Sequence, residues 1–427
     1  MPGNCTDIPA APLDLVPLAL RSASNQQLTL ALDIEGRIDA EQLREALHLL
    51  VTHYPILGYQ LFTDTRWPTW RKAASTDLAT PLRITETKDG RHVLHDISPV
   101  EQNALTTVST NILRGPNHDT LKICVDHTVA DAAGAKEIAY TLASCYGQLA
   151  RDTRHQPLQQ KQQPRSLKNI CAQVHMLRKL TAVSTWRPTQ AHWRFPEGDA
   201  SYQGATVYTI RQLDNDSITH LKAYCARYAA TINDILMAAL FCSLHDLHNC
   251  TPGAWLPVQF TVDLRRHLDP GHPCQVANLS SSAHIWLRKL PANPFGQTLL
   301  ETHQALAALK RKAPGIGAAI ILEMIFKLGF SRTNRALEEL FTSSLTTGWA
   351  NPLFINTGVI DEKRLKFGAA KVLNAHLLGP SLLVPGLTMT ASSFKNRLTL
   401  SVGYSPAVNS AGYIKKLMDS MINTLPA

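Results

Sequence analysis

The chain has 427 residues, 44% hydrophobic and 18% charged, which excludes a disordered protein and is too long for one compact core. Its formal net charge is +9, from 42 Lys plus Arg against 33 Asp plus Glu, spread thinly in short clusters such as Arg265-Arg266 and Lys310-Arg311-Lys312. No basic run is interleaved with aromatics, so nucleic-acid binding is not expected, while the mild positive field suits an anionic substrate or an acidic partner.

In chain order, Gln27–Ile34 alternates like a strand. Asp39 then offers a cap with Gln42 three residues on, ahead of Leu43, Leu47 and Leu50, which predicts a helix ending near Tyr54-Pro55. Residues 66–100 read as strands and turns. There His92 and Asp96 form a His-x-x-x-Asp pair in a polar segment bounded by Gly90 and Pro99, with no helix after it, and a loop or strand edge is expected. The second such pair, His127 and Asp131, has a different setting. Leu121, Ile123 and Val125 alternate with Lys122, Cys124 and Asp126, then His127 ends the strand and Asp131 precedes a helix. In that helix Ile138, Leu142, Cys145 and Leu149 recur at helical spacing, and Gly134 lies near its start. A histidine at a strand end is well placed to take a proton near neutral pH, its free pKa being about 6.5.

Residues 151–200 turn rich in Gln, Arg and Pro and read as a linker, so two lobes are expected, 1–180 and 181–427. The second lobe opens with a strand over Thr206–Arg211 and helices over Ser217–Tyr228 and Ile232–Leu247. The latter is capped by Thr231 with Asp234 at the third helical position. Leu256, Val258, Phe260, Val262 and Leu264 alternate without a break, sending Gln259, Thr261, Asp263 and Arg265 to the opposite, polar face. Further elements are a helix over Gln297–Leu309, a strand over Leu353–Thr357, and a hairpin of Leu387–Ser392 with Leu398–Tyr404 turning at Lys395-Asn396. A terminal helix over Ile414–Leu425 closes the series.

Gly315-Ile316-Gly317 imitates a dinucleotide fingerprint but lacks the preceding strand and the third glycine, so a turn or helix-packing role is expected. His245, His248 and Cys250 are close together without a fourth ligand, and no metal is expected. The eight cysteines contain no Cys-x-x-Cys pair, which points to reduced thiols. The most apolar run, Ala318–Phe326, is broken by Glu323. The N-terminus lacks a signal-peptide pattern, so a cytoplasmic protein without a membrane span is expected.

Taken together, the pieces resemble the chloramphenicol acetyltransferase superfamily, in its standalone condensation-domain-like or alcohol-acetyltransferase-like branch. The resemblance runs from Pro12-Leu13-Asp14 through Ile38–Leu47, Tyr54-Pro55-Ile56-Leu57, the His127/Asp131 motif, Thr231–Leu236, Val262-Asp263-Leu264-Arg265 and Asn278-Leu279. It continues through Asn356-Thr357-Gly358 to Gly403-Tyr404. It implies a mixed α/β (α+β) fold with two lobes, each a mixed sheet with helices, around a central tunnel. It further implies an acyltransferase that moves an acyl group from coenzyme A or carrier-protein phosphopantetheine to the hydroxyl or amine of a small acceptor. No cofactor is permanently bound in that picture, and a monomer is expected.

By the same resemblance His127 is the general base. Asp131 turns away from the reaction to pair with a second-lobe arginine, for which Arg265 is the candidate. A backbone N–H near Gly134 or the side chain of Asn356 would hold the oxyanion. The chain departs from the family's His-His-x-x-x-Asp-Gly pattern at Asp126, in place of the first histidine, and at Ala132, in place of the glycine. Asp126 is expected to raise the His127 pKa if it lies close. These departures also keep open a non-catalytic docking protein in a biosynthetic pathway. A wax-ester or glyceride synthase relative, which should bind membranes, lacks an evident apolar anchor or basic amphipathic helix.

Overall fold

Alternating apolar residues build two large sheets in the computed structural model, which describes residues 7–75, 80–87, 106–151, 165–269, 271, 274–289 and 294–426. His92 and Asp96 lie outside the described residues, as does most of the Gln- and Pro-rich stretch before Arg165.

The first part of the chain supplies α1 (Pro12–Ala19), β1 (Gln27–Glu35), α2 (Ala40–His53), β2 (Leu82–Glu86), β3 (Val108–Arg114), β4 (His118–Asp126) and α3 (Ala132–Leu149). Asp39 caps α2 by accepting from the Glu41 and Gln42 amides. Leu28, Leu30 and Leu32 of β1 and Leu121, Ile123 and Val125 of β4 share one core with Leu43, Leu47 and Leu50 of α2 and Ile138 and Leu142 of α3.

The rest supplies α4 (Met176–Thr185), β5 (Val207–Leu213), α5 (Ile232–Leu247), β6 (Leu256–Asp263), β7 (Ser280–Leu287), α6 (Phe295–Lys310) and α7 (Ile316–Lys327). Then come β8 (Leu353–Val359), β9 (Lys371–Leu378), β10 (Thr388–Phe394), β11 (Arg397–Tyr404) and α8 (Ala411–Thr424). The second sheet runs β7-β6-β8-β10-β11, with β5 on the far edge of β11. β8 is parallel to both β6 and β10, whereas β6–β7, β10–β11 and β5–β11 are antiparallel. The β10–β11 turn is at Lys395-Asn396, both with positive φ (47° and 57°), as a two-residue hairpin turn requires. The Thr231–Asp234 capping box forms at the start of α5.

Sheet membership crosses residue 180 in both directions. β9 leaves the second lobe and pairs antiparallel with β1, so the first sheet runs β9-β1-β4-β3-β2. In exchange, Ser24–Asn25 pairs with Ser381–Leu382 at the edge of the second sheet. The second lobe also closes over the polar face of β4, so Lys122 and Cys124 are only 5% and 3% exposed. Tyr208 of β5 reaches Cys124 there and donates its hydroxyl to the Gly379 carbonyl (2.6 Å). The alternation in β4 thus separates two buried faces, one packed on helices and one on the other lobe. Among the described residues no helix is long and apolar enough to cross a membrane.

Candidate active site

His127 follows the last residue of β4 and opens a tight turn that ends at Asp131, the N-cap of α3. Its backbone amide donates to Gln26 O (3.0 Å) at the edge of β1, fixing the point where the chain leaves the sheet. The ring keeps some exposure although protein surrounds it as densely as in the interior. Nδ1 is buried and has no hydrogen-bond partner on another residue. Burial lowers the His127 pKa below its ordinary value, against the opposing pull of its own backbone carbonyl and of the Asp131 and Asp126 carboxylates. The ring is therefore neutral at physiological pH, the form that accepts a proton.

The Asp126 carboxylate raises this pKa as expected, but it is the last of the opposing effects and burial outweighs it. That carboxylate takes the Arg21 guanidinium (2.8 Å), the Thr128 amide (2.8 Å) and the Thr128 hydroxyl, so its charge is spent locally and burial prevails.

Asp131 is 3% exposed and saturated. Oδ1 accepts from the Gly134 amide (3.0 Å) and Oδ2 from Arg265 Nη1 and the Leu279 amide (both 2.8 Å). Burial alone would raise its pKa, but the Arg265 charge and these donors overcome it and hold the carboxyl below the usual range. Arg265 sits one turn beyond β6, in the 3-10 segment Leu264–His267, instead of on the strand face. Its Nη1 also meets Asp263 (3.0 Å), and Nη2 donates to the Gln275 and Ala277 carbonyls (2.8 and 2.9 Å). Asp131 and Arg265 thus join the lobes directly beneath the histidine turn.

The two oxyanion candidates are placed differently from expectation. The Gly134 amide is already committed to Asp131 Oδ1, and a Cβ on Gly134 would come within 2.9 Å of the Ala130 Cβ and 3.4 Å of the Ala277 carbonyl. Its role is close packing of the helix start against the second lobe. Asn356 is exposed, donating Nδ2 to Asn233 Oδ1 (3.0 Å) and accepting from the Gly358 amide (2.9 Å) across the irregularity in β8. One polar group serves that turn and the other ties it to the first turn of α5.

A second charged clamp went unread in the sequence. Arg165 and Asp14 form a two-pronged pair (2.9 and 2.8 Å) with side chains 7% and 0% exposed. Arg165 also donates to the carbonyls of Thr128 (3.1 Å), Val129 (2.8 Å) and Val276 (2.9 Å), and its guanidinium lies 5.5 Å from the centre of the Trp70 ring. Asn278 adds Nδ2 bonds to the Leu13 (2.8 Å) and His127 (3.3 Å) carbonyls. From the other side of α3, Lys136 reaches the Thr357 carbonyl (2.6 Å), and Glu137 pairs twofold with Arg364 (2.7 and 2.9 Å). The Pro12-Leu13-Asp14 and Asn278-Leu279 motifs were visible; Arg165, in a Gln- and Pro-rich stretch, carried no signal. Away from this site, His248 contacts the Tyr413 hydroxyl (2.6 Å), and among the described residues no group of three or more His, Cys, Asp and Glu is placed to hold a metal.

No protein-family model matches the sequence, and no curated protein matches it. Solved structures do. Polyketide synthase associated protein 5 from Mycobacterium tuberculosis superposes with a TM-score of 0.72 at 14% identity, covering 98% of both chains. A trichothecene 15-O-acetyltransferase from Fusarium sporotrichioides gives 0.71 at 14% identity, covering 97% of this chain and 93% of that one. The first condensation domain of the CDA synthetase gives 0.68 at 16% identity, covering 98% and 95%. The chain shares the two-lobed fold of these structures, as the resemblance of its motifs implied.

Proposed function

We propose that the protein is an acyltransferase that moves an acyl group from a thioester, either coenzyme A or a carrier-protein phosphopantetheine, to a hydroxyl or amine acceptor. The observation that carries this reading is the neutral imidazole of His127 on a turn pinned to both lobes. As general base it takes the proton of the acceptor while that atom attacks the thioester carbonyl, then returns it to the departing thiolate. Holding both substrates in the cleft between the lobes supplies much of the remaining acceleration. Asp131 and Arg265 position the turn and take no part in proton transfer, since every Asp131 oxygen is already engaged away from the ring. Asp126 and Ala132 are compatible with this role: Asp126 is tied to Arg21 and its pull on the ring is outweighed by burial, and Ala132 opens α3, where alanine favours a helix over the glycine it replaces.

The test incubates the protein with a panel of acyl-coenzyme A thioesters and a thiol reagent, with and without alcohols and amines. Acceptor-dependent thiol release that disappears in His127→Ala supports the reading. A correctly folded protein that releases no thiol with any donor and acceptor, and forms no ester or amide with acylated carrier protein, overturns it in favour of a docking role.

A further inference from the structure

The positive charge of this chain is concentrated. Residues 153–196 contain eight Lys or Arg and no Asp or Glu, so eight of the nine excess charges come from one stretch and the remainder of the chain is nearly balanced. This corrects the thin spread read from the short clusters. The stretch contains α4, a helix with no fully buried residue. α4 lies against α7 at Gly317, where a Cβ would come within 2.1 Å of the Ala182 carbonyl. The helices run antiparallel. Ala182, late in α4, meets Gly317, early in α7, while Lys179 bonds the Cys171 carbonyl (3.1 Å) and Cys171 senses Glu323 and Lys327 near the end of α7.

The start of α4 therefore lies beside the end of α7, and their exposed apolar side chains fall together. Met176, Leu177 and Leu180 are 61%, 68% and 56% exposed, and Met324 and Leu328 are 58% and 87% exposed. Leu328 stands at the corner before the helix Phe330–Thr342, just ahead of Gly329 (φ 147°). Arg178 and Arg332 are exposed around these residues, and Lys327 lies among them paired with Glu323 (3.0 Å). Exposed apolar side chains normally occur singly, whereas a contiguous group marks a contact surface. This one projects from a helix corner and does not form a groove. A protruding apolar patch with a basic rim matches the pattern of helices that sink one face into the headgroup region of an anionic bilayer.

We propose that the α4–α7 helix pair is a docking face for an anionic lipid surface, to which Met176, Leu177, Leu180, Met324 and Leu328 supply the apolar contact and the exposed Arg178 and Arg332 the attraction. The inference is independent of the chemistry at His127.

The test sediments the full-length protein with phosphatidylcholine vesicles, pure or with roughly one-third phosphatidylserine. Binding to the anionic vesicles should exceed binding to neutral ones by about tenfold and weaken with added salt. The pair Leu177→Asp and Leu328→Asp, at exposed positions that leave the melting temperature unchanged, should lower it by roughly tenfold or more; Arg178→Glu should lower it severalfold. His127→Ala should bind like the parent, which separates failure here from failure of the acyltransfer reading. Absence of binding to anionic vesicles, equal binding to neutral ones, or unchanged binding by the Asp variants overturns the proposal. So does a dimer in sedimentation velocity that the same variants dissociate, which would assign the patch to a second copy of the chain.

Discussion

The two buried ion pairs flanking the His127 turn divide their work in opposite ways. In Asp131–Arg265 the anion positions the turn: its oxygens hold the Gly134 and Leu279 amides while the guanidinium ties the carboxylate to the second lobe. In Asp14–Arg165 the cation positions it: Arg165 takes the Thr128, Val129 and Val276 carbonyls, and Asp14 supplies the balancing charge. The Thr128 and Val129 carbonyls of this five-residue segment are therefore held by a cation, while its last side chain, Asp131, is held by two amides and a cation from outside the segment. Together with Asn278 on the His127 carbonyl and Ala277 on the Asp131 amide (3.3 Å), these contacts leave few backbone groups of the turn unpaired. A buried loop without such partners would be costly, and a catalytic ring mounted on it would be loose.

Removing what both clamps serve should have the largest effect. His127→Ala is expected to lower acyl transfer by about 100- to 10,000-fold, read as acceptor-dependent thiol release, without shifting the urea midpoint. Next come the clamps. Breaking a buried pair from one side costs about 3–5 kcal/mol, and Arg165→Met should cost more than Arg265→Met because it strands three carbonyls against two. Urea unfolding of both variants checks the order, and the reverse ranking would sink the division of labour described above. The double variant Asp131→Asn with Arg265→Met should lose less than the sum of its singles by about 1–3 kcal/mol, measured in a double-mutant cycle.

A pH profile sharpens the comparison further. Burial depresses the His127 pKa, so protonation is opposed in the folded protein and the base stays competent as pH falls through about 6.5. The acid limb of kcat/KM should lie below that value, and a limb above it contradicts a buried neutral ring. The smallest expected effect is that of Asn278→Ala, about 0.5–1.5 kcal/mol for each of two carbonyl bonds, with kcat falling more than KM rises if His127 shifts.

Much of this was legible in the residues because the signals were local. Asp39 and Thr231 announce their helices by capping chemistry, and Val258 and Val262 turn inward as the alternation along β6 requires. The His127 strand, the α3 start and the Asp131–Arg265 pairing followed from one motif and a recognised order of pieces. Signals that depend on distant partners were invisible. The burial of Lys122 and Cys124 was not legible, because alternation cannot say what lies across that face. Arg165 read as linker because nothing near it in sequence hints at Asp14, and Gly134 read as a donor because its amide is claimed by a side chain three residues away. α1 escaped notice because Pro12 and Pro17 obscure its period, although Pro at a first helical position is favourable.

The exchange of β9 has a bearing on how the polypeptide assembles during synthesis. The first sheet gains its outermost strand only after residue 378 has emerged, so until then β1 presents an open row of backbone donors and acceptors. A fragment ending before Lys371 should aggregate through that edge, and supplying the missing strand as a separate peptide should suppress it. Late closure of this kind makes the halves mutually dependent, with neither lobe able to mature on the ribosome ahead of the other.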